Sequence, residues 1–212
     1  MRKNKDEHSY QYRALLSQLS SSNDREKYDA IPPNSCLNKM YDWERADAER
    51  MIWREFNENK VCVLANLVLR LQGYDGVSAV KQRLAESQIP SGNSAMLSRL
   101  LFEWTKEEKY LDILIKNVKK SKYYLSYVSE LVYCPPCIKA YEVLKDIYLT
   151  SENEVVRHTA VTGILQYRGF IKDPMCTTEI FSNTASFRKF VTDNGDAEER
   201  KKIIALFEAG QL

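Results

Sequence analysis

The residues with the most specific chemical spacing are Cys134 and Cys137, in Tyr133-Cys134-Pro135-Pro136-Cys137-Ile138-Lys139. Two thiols so spaced at the start of a helix make the arrangement of a thioredoxin-type redox site. There the helix N-terminus and its main-chain donors stabilise a thiolate. That chemistry needs a buried strand just before the motif, inside a βαβ unit. Residues 123–132 instead carry apolar side chains at helical spacing, and Asp173-Pro174 falls in a loop-like stretch rather than before a strand pair. The two prolines suit a simpler role. They end one helix and begin the next, because proline fits the first helical turn. Cys134 and Cys137 are then expected to pack as small apolar residues. A thiol–disulfide protein using this pair is the enzymatic alternative.

The second chemical feature is a basic corner. Lys116, Lys119, Lys120 and Lys122 stand in residues 115–122 without an acidic neighbour, and Tyr123, Tyr124 and Tyr127 follow. Basic side chains beside aromatic ones can hold phosphates and stacked bases. As part of a protein interface, the candidate partner-binding residues are Lys119, Lys120, Lys122 and Tyr123. The spacing of Tyr124, Tyr127 and Val128 to Leu131 predicts a core stripe, which leaves Lys122 and Tyr123 on the surface. Zinc would need four ligands, usually including a second close pair. Cys36, Cys62, Cys176, His8 and His158 are scattered instead. The carboxylates of residues 42–50 alternate with arginines, the pattern of a solvated, salt-bridged helix. No Gly-x-Ser-x-Gly, phosphate loop or dinucleotide fingerprint is present. The expectation is therefore no catalytic residue, no cofactor and no metal.

Composition narrows the fold. The chain has 212 residues, 44% hydrophobic and 28% charged, which is ordinary globular usage. A net charge of +2 weighs against a strongly basic nucleic-acid binder and against an acidic solvating protein. Seven glycines and six prolines are few for an all-β or Rossmann-type fold, so an all-α chain is expected. The charged start, Met1 to Glu7, lacks a following apolar core and does not read as a secretory signal. The longest apolar run, residues 61–69, is far below the ~20 residues of a membrane span. Five cysteines, an odd number, fit free thiols in a reducing cytoplasm.

The elements that must position these groups follow from periodicity. A helix is predicted over 8–20, then an irregular connection over 28–37 around Pro32-Pro33-Asn34-Ser35, so residues 1–37 form an N-terminal element. Residues 38–56 place Tyr41, Ala48, Ile52 and Phe56 on one helical face. Residues 60–72 are nearly all apolar, as in a buried helix, and Gly73-Tyr74-Asp75-Gly76 reads as a turn. Leu84, Leu114 and Leu144 then recur thirty residues apart, each followed by a second helical stretch. The predicted pairs cover 77–104, 107–133 and 137–167. A further pair is expected at 184–192 and 197–209, with 193–196 as turn and cap, and with Phe187, Phe190, Ile203 and Phe207 as apolar contacts. Helix pairs of this length suggest one continuous α-solenoid over 38–212, with an irregular helical bundle as the alternative.

One stretch also carries a family resemblance. Glu152-Asn153-Glu154-Val155-Val156-Arg157-His158-Thr159-Ala160-Val161-Thr162-Gly163-Ile164 resembles the second helix of a HEAT repeat: an acid, a Val-Arg pair, Ala three residues on and an aliphatic four beyond. The match covers about one repeat; the preceding pairs agree only in spacing. The resemblance implies a short right-handed α-solenoid. Small residues at 160 and 163 would let helices approach closely, and Arg157 would pair with Glu154 or another acid. Compact HEAT-like chains also resemble bacterial immunity proteins that neutralise a toxin. That likeness implies a non-catalytic module holding another protein, and thirteen tyrosines and three tryptophans could supply its anchors. The nucleic-acid alternative is a HEAT-like array using the 116–122 corner.

Overall fold

A computed structural model describes residues 8–20, 37–174 and 196–211. Among the described residues the chain is all-α, with ten α-helices, two short 3-10 helices and no strand. It divides into two compact units, Met1–Glu86 and Ser87–Leu212. The expected segment at 184–192, with Phe187 and Phe190, lies outside the described residues, as do Cys36, Cys176 and the prolines at 32 and 33.

The first unit contains α1 (Tyr10–Leu19), a 3-10 turn (Leu37–Lys39), α2 (Asp42–Asn57), a second 3-10 turn (Cys62–Leu64), α3 (Ala65–Val68) and α4 (Gly76–Glu86). Ala48, Ile52 and Phe56 are fully buried, as their four-residue spacing requires. Tyr41 leaves that face because the helix starts at Asp42, not at 38: Glu44 reaches back to accept the Tyr41 N–H at 3.0 Å. At the other end of α2, Arg83 Nη2 donates to the carbonyls of Phe56 and Asn57, both at 3.0 Å. Those carbonyls would otherwise lack a helical partner.

Residues 60–72 do not form one helix. They make the 3-10 turn and the single-turn α3, although Cys62, Leu64, Ala65, Leu67, Val68, Leu69 and Leu71 are all buried as their composition predicts. The chain turns back after Val68 and brings Gly76 onto the Val68 carbonyl. A Cβ at Gly76 would stand 2.2 Å from that oxygen. Gly73, at φ +77°, makes the intervening turn, and Asp75 caps α4 by accepting the Ser78 N–H at 3.0 Å.

The second unit contains α5 (Gly92–Thr105), α6 (Glu108–Lys120), α7 (Leu125–Val132), α8 (Ile138–Thr150), α9 (Glu154–Tyr167) and α10 (Ala197–Glu208). Each helix from α5 to α8 packs on the next, and α7 also packs on both α5 and α9, while α8 packs on α6 and α10. The helices of the α8–α9 pair run antiparallel, with the Tyr141 ring stacked on Tyr167 at 4.5 Å and Leu144 against Gly163. A Cβ at Gly163 would lie 2.5 Å from Leu144 Cδ1 and 3.1 Å from Val132 Cγ2. The missing side chain therefore lets α9 close on α7 and α8 together.

Between α5 and α6 the fixed point is polar. Asn117 is fully buried; it donates to Ser94 Oγ and the Ile113 carbonyl, both at 2.9 Å, and accepts the Ser91 N–H at 3.0 Å. Every group it brings inside has a partner, as burial demands. α10 begins as expected, with Asp196 accepting from the N–H groups of Glu198 and Glu199, and with Ile203 and Phe207 buried.

α4 belongs to the first unit and α5 to the second, and within the second unit α5 packs on α6. Leu84, Leu114 and Leu144 are all buried. Their thirty-residue period counts helices of equal length joined by short turns, and that period is the same whichever neighbour each helix chooses.

Gly76 and Gly92 both open helices, but no atom lies within 4 Å of a Cβ at Gly92. Gly76→Ala should cost about 2 kcal/mol or more by forcing backbone apart. Gly92→Ala should be neutral or stabilising by up to about 1 kcal/mol through helix propensity. Urea unfolding of both variants measures the contrast.

Candidate functional site

The basic corner lies where α6 ends. Lys116, Lys119 and Lys120 are exposed, the last two in the final turn of α6, where cations complement the helix dipole. The chain leaves α6 through Lys122 N–H to the Lys119 carbonyl at 3.2 Å and Tyr123 N–H to the Val118 carbonyl at 3.0 Å. Lys122 and Tyr123 are both left-handed, at φ +53° and +65°. Each such non-glycine residue costs on the order of 1 kcal/mol. Lys116, Lys119, Lys120 and Lys122 have no ion-pair partner among the described residues, whereas Lys109, Lys139 and Lys145 each meet at least one carboxylate.

The tyrosines of this corner exchange their expected places. Tyr123 is half-buried, and its hydroxyl donates to Asp146 Oδ2 on α8 at 3.0 Å. Burial, together with Asp146, pushes its phenol above the ordinary range. Tyr123 is thus a strut between the turn and α8. Tyr124 is 62% exposed and Leu125 38%, while Val128 and Leu131 are buried. Tyr124 escapes the core stripe because it is the N-cap of α7, ahead of the first helical residue. Its ring meets the half-buried Tyr127 edge-on at 5.4 Å.

Cys134 and Cys137 are free thiols bridging α7 and α8. Cys134 is buried behind the C-terminus of α7, with its N–H on the Leu131 carbonyl at 3.2 Å, and Cys137 is the half-buried N-cap of α8. Burial pushes the Cys134 thiol far up, against a smaller opposing effect of Arg99. An attacking thiol needs the opposite shift. Among the described residues, no group of three His, Cys, Asp or Glu side chains is placed to hold a metal. His8 belongs to the first unit; His158 is half-exposed on α9, with Nε2 3.8 Å from Glu154. Arg157 is buried, and its Nη1 donates to the Ser151 and Glu152 carbonyls at 3.0 Å each, closing the α8–α9 turn.

The carboxylate run at 42–50 is not wholly solvated. Glu44 is fully buried and Glu49 nearly so, the latter accepting from Arg45 Nε at 3.0 Å. Glu44 binds the start of α1: Oε1 accepts the Ser9 N–H at 2.6 Å and lies 3.3 Å from His8 Nδ1. Burial pushes Glu44 up, but the hydrogen bonds from Ser9, Tyr41 and His8 outweigh it and hold the carboxyl below its usual range. Nearby, Tyr12 donates to Asp47, which raises the phenol to about 12. The Tyr41-x-x-Glu44 spacing could have suggested the local cap. Nothing in the sequence pointed to Ser9, thirty-five residues away.

No family model, curated protein or solved structure matches this chain. Among the described residues, no helix is long and apolar enough to cross a membrane.

Two measurements follow from these environments. Alkylation of the native protein at neutral pH, mapped by peptide mass, should modify Cys137 and leave Cys134 untouched until unfolding. Fast labelling of Cys134 would overturn its reading as a packing residue. Because Glu44 is held below its ordinary value, the stability it contributes is present above about pH 4.5 and is lost as pH falls through its folded value. Acidification should reduce hydrogen-exchange protection in α1. Glu44→Gln should weaken that protection at pH 7 by roughly 1–3 kcal/mol and flatten the acid response.

Proposed function

We propose that the chain is a non-catalytic protein-binding module whose second unit is a short HEAT-like stack. The observation that carries this reading is the α6–α7 corner, where four lysines without ion pairs adjoin the exposed Tyr124 and Leu125. Exposed tyrosine is enriched at protein interfaces, and unpaired lysines beside it supply charge complementarity to an acidic partner. The alternation of contacts, α5–α7–α9 on one side and α6–α8 on the other, supports the solenoid reading. The close approach at Gly163 and the Arg157 staple support the likeness to a HEAT repeat. The form of this function we favour is a cytoplasmic immunity protein whose partner is a toxin, and the free thiols Cys62, Cys134 and Cys137 suit a reducing compartment.

The nucleic-acid reading has less support. A net charge of +2 gives a weak field, and residues 116–120 span only about 6 Å of helix. A photo-crosslinker at position 124 should trap one dominant protein in the native cell extract. No duplex binding should be measurable near physiological salt. Micromolar affinity for DNA that falls by about 0.9 in log K per contact and per log unit of salt, and is lost in a K119E/K120E/K122E variant, would defeat the protein-partner reading.

A further inference from the structure

We infer that the α6–α7 corner reads an acidic peptide segment of its partner, with carboxylates on Lys116, Lys119, Lys120 and Lys122 and one apolar side chain packed on Tyr124 and Leu125. This deepens the protein-binding proposal and rests on it. Charge is the first ground. From 113 to 129 the chain holds four lysines and no acid, and none of these ammonium groups is neutralised among the described residues. The carboxylate that faces this corner from α8, Asp146, already accepts the Tyr123 hydroxyl. It is therefore engaged in holding the turn.

Geometry is the second ground. Lys116, Lys119 and Lys120 share one helical face at the three- and four-residue spacing. Lys122 continues the patch around the turn to Tyr124. The turn is left-handed at two successive non-glycine residues, yet it is anchored by the Tyr123 strut and by the Tyr123 N–H bond to Val118. A binding surface held this way loses little freedom on association. The chemistry of the lysines is the third ground. No arginine lies at 113–129, and arginine is the side chain whose planar fork best matches phosphate. Lysine acts as a point charge, and scattered carboxylates around one apolar anchor suit it.

The probe is an acetylated, amidated hexapeptide, Asp-Glu-Asp-Phe-Glu-Asp, titrated into the full chain and followed by amide chemical shifts. Shifts should concentrate at 116–125, and affinity should fall at least fivefold in K119E/K120E/K122E and in Y124A. A peptide with Ala in place of Phe should bind several-fold more weakly, and one with Lys in place of the acids should not bind. Circular dichroism of each variant should match the parent, and Lys→Gln changes provide a gentler second series. The inference is overturned if the acidic peptide binds no better than its lysine counterpart, if the shifts lie elsewhere, or if a twelve-residue single-stranded DNA or anionic vesicles bind the corner more tightly. A dominant protein adduct at 124 without peptide binding would end this inference and leave the protein-binding proposal standing. Absence of both would end the two together.

Discussion

The second unit depends on the empty space at Gly163. In a helix interior glycine costs about 1 kcal/mol relative to alanine. Here that cost is offset by contact, because the α9 backbone reaches Leu144 on α8 and Val132 on α7 at one level. Ala160, one turn earlier, is also fully buried, so the close approach extends over that turn. Tyr141 on Tyr167 completes the seam from the other end. Three helices are thus joined through one position, and the surrounding core of Leu131, Leu144, Ile147 and Ile164 can be dense.

Polar groups then fix what dense packing alone leaves free. Apolar ridges can slide past one another by a turn with modest loss. Asn117 cannot, because moving it would leave the Ser91 amide and its own carboxamide unpartnered inside the unit. Arg157 plays the same part at the α8–α9 turn by tying down the Ser151 and Glu152 carbonyls, and Arg83 does so for the end of α2 in the first unit. In each place a long or branched polar side chain satisfies main-chain groups that a helix end would expose.

The all-α class, most helix positions and the buried aliphatic rows were legible in the sequence, since a 3.6-residue stripe states which face must be covered. What was not legible had a different physical origin. Periodicity holds only inside a helix, so it misplaced Tyr124, which caps α7, and Tyr41, which caps α2. The apolar run at 60–72 states burial but not conformation, and the backbone contact of Gly76 with Val68 decided that it would break. Glu44 looked like one charge among many in an alternating run; its burial follows from a partner thirty-five residues away. The lysines of the corner were visible as a cluster. That Tyr123 serves the turn while Tyr124 faces solvent depended on two backbone angles that composition does not encode.

Those two angles also bear on how this chain could have changed over time. Glycine at 122 would relieve a left-handed lysine at once, and so it is the substitution that selection for stability alone would favour. Lys122 and Tyr123 nevertheless occupy the turn. Tyr123 offsets part of that strain through its hydroxyl bond to Asp146, and Lys60 and Lys106 hold the same left-handed conformation elsewhere in the chain. On the proposed binding role, glycine at 122 would raise stability while removing one of the four charges of the corner, so heat resistance and binding would part at this position.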